Sequence, residues 1–357
     1  MSLEQITTQF AIDGEFCGAE TWGSGHINDT YRAAYSKNGA TVHYVHQRIN
    51  HNVFRNPEAM MDNIARVTAH LQKKLGPRAA QHGLTLVLTR TGAAFCRDKE
   101  GNYWCTYHCI EGARSYDTIK TKEQAFEAAR AFGEFQRLLA DFPPPRLKET
   151  IPDFHHTPKR FAALERAIKA DVAGRAANAK AEIQFALEHQ PLCGILLDAN
   201  LPERVTHNDT KINNVLFDDA SNEAVCVIDL DTVMPGLALY DFGDMVRTAT
   251  CKAAEDERDL SKIHMELDLF EALASGYLKA TNGFLTSAER ALLVASGKLI
   301  PFEIGIRFLT DYLQGDIYFK IHREGHNLDR CRTQFELVKS VTAQEDKMMR
   351  AVERASH

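Results

Sequence analysis

The sequence predicts an α+β fold, with strands concentrated before about residue 111 and helices dominating after it. Three observations carry this expectation. Short runs rich in β-branched and aromatic residues crowd the N-terminal third. From Thr121 onward, apolar residues recur every three to four positions. The helical portion is then broken by one polar-tipped hairpin beyond Arg204. A chain of 357 residues is long enough for two lobes with separate cores, and 1–111 and 112–357 are the expected division.

Composition narrows the function class. Hydrophobic residues at 44% and charged residues at 25% are the proportions of a soluble globular protein. A net charge of −6 argues against a dedicated nucleic-acid binder, but not against a nucleotide, which needs only a local positive field. The eight cysteines contain no CxxC pair, so they are expected to be scattered thiols in a reducing cytoplasm rather than a zinc or disulfide framework. The N-terminus MSLEQITTQF lacks the basic and apolar regions of a signal peptide, and no apolar run is long enough for a membrane span. A cytoplasmic protein without membrane partners, a monomer or weak homodimer, is the expectation.

Taken in order, residues 3–12 place Leu3, Ile6 and Phe10 at helical spacing. Glu20 to Tyr31 reads as strand, glycine turn, strand. Gly23 and Gly25, spaced by Ser24, would let backbone N–H groups close over a polyanion, although a GxG alone more often just turns a hairpin. Val42 to Ile49 has the content of a strand. Asn56-Pro57-Glu58 is a helix start, with an N-cap, a first-turn proline and an early acid. Met60, Ile64, Val67 and Leu71 follow as a core stripe. Leu84 to Thr89, Gly92 to Cys96 and Asn102 to Ile110 complete a sheet of about five strands.

Thr121 with Gln124 forms a capping box ahead of Phe126, Ala129, Phe132, Phe135 and Leu138. Pro143 to Pro145 interrupt the chain as an internal loop. His155 and His156 have no metal-like partner at suitable spacing and are expected to be structural. They precede a helical stretch that runs to about His189. Past the hairpin, Tyr240-Asp241-Phe242-Gly243-Asp244 opens a helix whose acids suit its N-terminus and brace the preceding loop. Thr286, boxed by Glu289, begins a helical region extending through the 320s. There Arg307, Asp311, Gln314 and Tyr318 fall on one face, and Ile306, Leu309 and Leu313 on another. Such a polar face could hydrogen-bond a hydroxylated ring. It could equally be a surface stripe with an Arg307–Asp311 pair worth only tenths of a kcal/mol.

The chemistry concentrates between Arg204 and Asp231. His207, Asp209, Lys211 and Asn214 spell HxDxKxxN, and the runs 214–217 and 224–228 flank a polar turn, which makes a hairpin. Asn214 and Asp229 then share one end of the ribbon, with Asp209 on the loop before it. Phosphoryl transfer needs these types: a carboxylate to take or orient the proton of the attacking hydroxyl, and oxygen ligands for Mg²⁺. Asp209 suits the first role, Asn214 and Asp229 the second, and Lys211 is a point charge for the transferring phosphate. A hairpin whose polar residues merely cap turns is the plainer reading. Against it, at roughly one in twenty per fixed position, a four-residue match is a rare accident in a chain of this length.

This segment resembles the catalytic and metal-binding loops shared by protein kinases and the aminoglycoside phosphotransferase/choline kinase group. Within that group HNDTKINN, IDLDTVMPG, YDFGD, GSGHINDTY and RFLTDYLQGDIYF resemble the N-acetylhexosamine 1-kinases, over residues 23–319. The resemblance implies a protein-kinase-like two-lobed fold, with a small antiparallel-sheet lobe, a larger helical lobe, and ATP and Mg²⁺ between them. It implies transfer to the anomeric hydroxyl of N-acetylglucosamine or N-acetylgalactosamine. Gly23, Ser24 and Gly25 would then face the nucleotide, Tyr107 to Glu111 would be the connector where Tyr107 and Ile110 meet the adenine, and His26, Asn28, Asp231, Arg307 and Tyr318 would meet the acceptor. The strand that normally offers a phosphate-binding lysine carries Gln47 instead, and Arg48 beside it points to the opposite face. Alternatives are a kinase of the same fold acting on an aminoglycoside, choline or other alcohol, and a pseudokinase that binds nucleotide or sugar without turnover.

Overall fold

The computed structural model describes residues 3–23 and 27–356, which gather into two compact units. The first comprises Met1–Asp117, Leu138–Pro152 and Asn214–Pro235. The second comprises Thr118–Arg137, Asp153–Asn213 and Gly236–His357. The units thus alternate along the chain.

In the first unit, β1 (Glu15–Thr21), β2 (Asp29–Lys37), β3 (Ala40–Ile49), β4 (Cys96–Arg97) and β5 (Tyr103–His108) form an antiparallel sheet in the order β1-β2-β3-β5-β4. Side chains alternate across it. Ala33, Tyr35, Tyr44 and Trp104 pack with Ile6, Phe10, Ile12 and Val87 into a core under one face. Thr30, Gln47 and Cys105 line up across the other, as do Arg32, Val45 and Tyr107. The number of strands matches the expectation, but their identity differs. Leu84 to Thr89 is not a ladder strand: it makes only isolated bridges, Leu86 to Tyr107 and Thr89 to Phe10, because it bonds β5 at Thr85 and Val87 and then changes partner to Gln9 and Ala11. Likewise only Leu3–Thr7 of the expected first helix is helical (α1), since Phe10 is drawn into that bridge.

Helix α2 (Pro57–Leu75) starts where its sequence says, with the Asn56 side chain accepting from the Ala59 N–H and Met60, Ile64, Val67 and Leu71 all buried. Buried Asn63 on α2 donates to the carbonyls of Lys148 and Val233 and accepts from the Lys148 N–H, tying three stretches of chain together. A short α3 (Ala79–His82) follows. β6 (Ala113–Arg114) pairs with the expected hairpin, β8 (Val215–Asp218) and β9 (Ala224–Val227); β7 (Arg204–Thr206) belongs to the second unit. At the hairpin tip the Asp218 carboxylate accepts from the N–H groups of Ala220 and Ser221.

The second unit is helical: α4 (Lys122–Leu138), α5 (Thr157–Ala170), α6 (Lys180–Glu188), α7 (Ala238–Ala249), α8 (Leu267–Ala280), α9 (Ser287–Ala291), α10 (Leu293–Leu313), α11 (His326–Ala343) and α12 (Glu345–Ala355). Helix α10 packs on α5, α7 and α11, and Phe302, Ile306, Leu309 and Leu313 fill a core with Phe161, Leu164, Phe335 and Val338. Contact between α7 and α10 is close enough to require Gly243, where a Cβ would lie 2.5 Å from the Ser296 carbonyl oxygen. The Thr286–Glu289 capping box is complete. At Thr121 only half forms, because the Gln124 side chain accepts from the Lys120 N–H instead.

Candidate active site

In the second unit, β7 leads into the loop His207–Asn213. Its start is anchored by Arg204, which pairs with buried Glu289, and by His207, whose ring lies edge-on to Phe132 and Phe135. Asn208 follows with φ of 65°, a left-handed conformation uncommon for a side chain other than glycine. Two acids on α7 hold that bend. Asp241, fully buried, accepts from the N–H groups of His207 (3.0 Å) and Asn208 (2.7 Å) and from the Gln136 amide (2.6 Å). Asp244 accepts from the Thr210 N–H at 2.9 Å and pairs with half-buried Arg247. Burial raises the Asp241 carboxyl above its ordinary range, against the pull of His207 and the N–H donors. The bracing expected of these two acids is what the geometry contains.

The loop presents Asp209, partly exposed, with Lys211 Nζ 3.0 Å from its Oδ2. Burial would lower the Lys211 ammonium, but Asp209 and Asp244 outweigh it and raise it above its usual value. Lys211 is therefore a fixed cation beside a carboxylate. Arg247, which also feels Asp209 and bridges Asp244 to Glu255, adds a half-buried positive charge behind the loop. Sequence reading missed it: Asp244 is its neighbour one turn back on α7, but Glu255 and the loop at Asp209 come near it only in the fold.

Also in the second unit, Arg307 lies over the rings of Phe154 and Phe319, and the Tyr318 ring meets Phe319 edge-on at 4.7 Å. The structure thus gathers Arg307 and Tyr318 around Phe319, but not on one helical face. Helix α10 ends at Leu313, and Gly315 takes φ of 93°. Asp311 is buried, accepting from the N–H groups of Ile317, Tyr318 and Phe319 and from the Asn327 amide. It organises the turn that carries the exposed Tyr318 rather than sharing an open face with it. No sequence period signals this, because the carboxylate replaces helical hydrogen bonds that have run out.

In the first unit, Asn214 sits buried at the head of β8, its carbonyl accepting from the Ile228 N–H at 2.9 Å. Asp229 follows at once, exposed and left-handed with φ of 60°. Both offer hard oxygen donors, the type Mg²⁺ takes, and an exposed carboxylate leaves room for the waters that ion retains. Among the described residues no group of three or more His, Cys, Asp or Glu could hold a metal on its own, so an ion here would need phosphate and water to complete its shell.

Asp231 is buried and accepts from the Asn28 amide, whose carbonyl oxygen accepts from the Asn50 N–H. Asn28 and Asp231 are thus brought together. Gln47 donates weakly to Thr30 at 3.4 Å, lying across the sheet face, while Arg48 on the other face pairs with Asp29. Tyr107 is buried, and burial raises its phenol well above the usual value, with Cys105, Asp231 and Asp229 adding to the effect. Ile110 is buried too, ahead of Gly112 with φ of 68°. Gly23 is exposed with φ of 82°; Ser24, Gly25 and His26 lie outside the described residues.

The profile of the phosphotransferase enzyme family matches residues 19–276. Among solved structures, the chain is similar to an aminoglycoside phosphotransferase from Alicyclobacillus acidocaldarius (13% identity, 99% of this chain and 97% of that one, TM-score 0.61). It is also similar to a spectinomycin phosphotransferase in complex with ADP and spectinomycin (13%, 96% and 97%, 0.58) and to a choline kinase from Cryptosporidium parvum (15%, 94% and 92%, 0.54). Identities this low speak for the fold alone, and the profile covers well over half of the chain. No helix among the described residues is long and apolar enough to cross a membrane. With its antiparallel sheet, its helical unit and the braced loop at Asp209, this chain belongs to the phosphotransferase enzyme family and has the protein-kinase-like α+β fold.

Proposed function

We propose that the protein transfers the γ-phosphoryl group of ATP to the anomeric hydroxyl of an N-acetylhexosamine. The observation that carries this is the Asp209–Lys211 pair on a loop held by Asp241 and Asp244. Asp209 accepts the proton of the attacking hydroxyl as the new oxygen–phosphorus bond forms and the bond to ADP breaks. Lys211 offsets charge on the transferring group, and neither residue needs to move far because the main chain on both sides is fixed. Asn214 and Asp229 are the residues that would hold Mg²⁺, which when bound neutralises phosphate charge. A nucleotide donor is supported by the relatives solved with ADP or AMP.

On this reading the nucleotide lies against the sheet face lined by Thr30, Gln47 and Cys105, with Tyr107 and Ile110 toward its base. The glycine loop 23–25 covers its phosphates. Gln47 replaces the customary cation there and contributes hydrogen bonds without charge. Arg307 and Tyr318 serve the acceptor. A guanidinium at that place disfavours the cationic acceptors of choline and aminoglycoside kinases. The domain reading that goes with this is a nucleotide lobe through residue 111 and an acceptor lobe after it.

The deciding experiment offers ATP and Mg²⁺ with N-acetylglucosamine, N-acetylgalactosamine, choline, ethanolamine and an aminoglycoside, reads ADP release, and locates the phosphate by phosphorus NMR. Phosphate on the anomeric oxygen of a hexosamine is expected. Transfer to an amino alcohol or aminoglycoside with none to a hexosamine would move the enzyme to those acceptors, and no ADP release with any acceptor would leave a pseudokinase.

A further inference from the structure

His155, directly before α5, is buried, and its two ring nitrogens face two different partners. Nδ1 lies 2.8 Å from Glu303 Oε1 on α10, and Nε2 lies 3.3 Å from the carbonyl oxygen of Asn208. The other Glu303 oxygen accepts from the Thr157 hydroxyl at 2.6 Å. Burial would raise the Glu303 carboxyl, but His155, Arg307 and Thr157 bring it below its usual range, so it is a carboxylate. A carbonyl oxygen and a carboxylate both accept only. An imidazole placed between them must therefore donate from both nitrogens, which only the imidazolium can do. Tyr240 and Asp244 on α7 and the neighbouring Phe154 ring also face it, and Arg307 on α10 acts on Glu303.

The Asn208 carbonyl is the point at which this pair reaches the candidate catalytic loop. Asp241 already holds the N–H of Asn208, and Thr206 donates to its side-chain oxygen. With His155 on the carbonyl, a left-handed residue adjacent to Asp209 is gripped from every side. We propose that His155 is a positioning residue for phosphoryl transfer: as an imidazolium neutralised by Glu303, it fixes the Asn208 carbonyl and so sets the attitude of the Asp209 carboxylate. The inference rests on Asp209 being the base.

The test uses the full chain with three substitutions and one spectroscopic measurement. Nitrogen NMR of the histidine-labelled protein, assigned against His155→Phe, should show both His155 nitrogens protonated at neutral pH. His155→Phe should lower kcat about 10- to 100-fold, the scale of a misplaced reacting group, with KM for nucleotide and acceptor changed less than about twofold. In Glu303→Gln the carboxamide can donate to Nδ1, so the His155 nitrogens should change to those of a neutral imidazole, and signals identical to wild type would overturn the pairing. A neutral His155 in the wild-type protein, or unchanged kcat in His155→Phe, overturns the proposal. If His155→Phe does not fold, the nitrogen signals assigned by Glu303→Gln decide it. Failure of the underlying reading shows separately, as undiminished transfer by Asp209→Asn while the His155 signals remain those of an imidazolium.

Discussion

Asp209 is one of few partly exposed groups on a loop whose neighbours are buried and hydrogen-bonded, so its removal should affect chemistry and not folding. Asp209→Ala is expected to lower kcat by at least ~10²-fold with an unchanged melting temperature, measured by steady-state turnover and calorimetry. Asp98 is the opposite case, a residue whose work is structural. Its carboxylate accepts from the N–H groups of Glu100 and Asn102, the Asn102 amide and the Trp104 indole at 2.8 to 3.0 Å. Burial raises it, but these donors bring it from 3.8 down to about 2. A carboxyl depressed on folding stabilises the native state above its unfolded value and ceases to as pH falls through its folded one. Asp98→Asn should therefore cost about 1–3 kcal/mol at neutral pH, and the difference from wild type should shrink between pH 4 and 2 in acid-unfolding titrations. Residues like Asp209 and Lys211 were legible because their spacing is local. Arg247, His155 and Glu303 were not, because each acquires its role from a partner distant in sequence.

Helix α7 carries both bracing acids toward the loop at His207 and presses its glycine against α10. Alanine normally improves a helix over glycine by up to about 1 kcal/mol. Here the added methyl would meet the Ser296 carbonyl and Ile300, so Gly243→Ala should instead destabilise by about 1–3 kcal/mol, read from the denaturant midpoint. A stabilised variant would show that the two helices part readily. At this scale the long helices were legible: α2 and α4 each bury a periodic apolar face, α10 is apolar enough to be buried nearly all round, and α2 also shows its cap. The hairpin β8–β9 was legible from two apolar runs around a polar turn. What failed was short or irregular. Leu84 to Thr89 has strand composition but divides its hydrogen bonds between β5 and Ala11 before turning at Thr89, and Asp311 ends a helix whose apparent period continues past it.

For the whole molecule, binding should be visible as stability. A nucleotide with Mg²⁺ at about a hundred times its dissociation constant should add about 2.7 kcal/mol, raising the melting temperature, and EDTA should remove most of that gain. An unmoved transition would count against the nucleotide reading. The α+β class was legible from the segregation of strand-like and helical periodicities. The alternation of the two units was not, because nothing local in Leu138–Pro152 or Asn214–Pro235 announces which core it joins. That alternation bears on how the polypeptide is made. Asn63 takes hold of main chain at both Lys148 and Val233, and β6 awaits β8. During vectorial synthesis the sheet-bearing unit therefore stays unfinished until Pro235 has left the ribosome, long after its first strands have emerged.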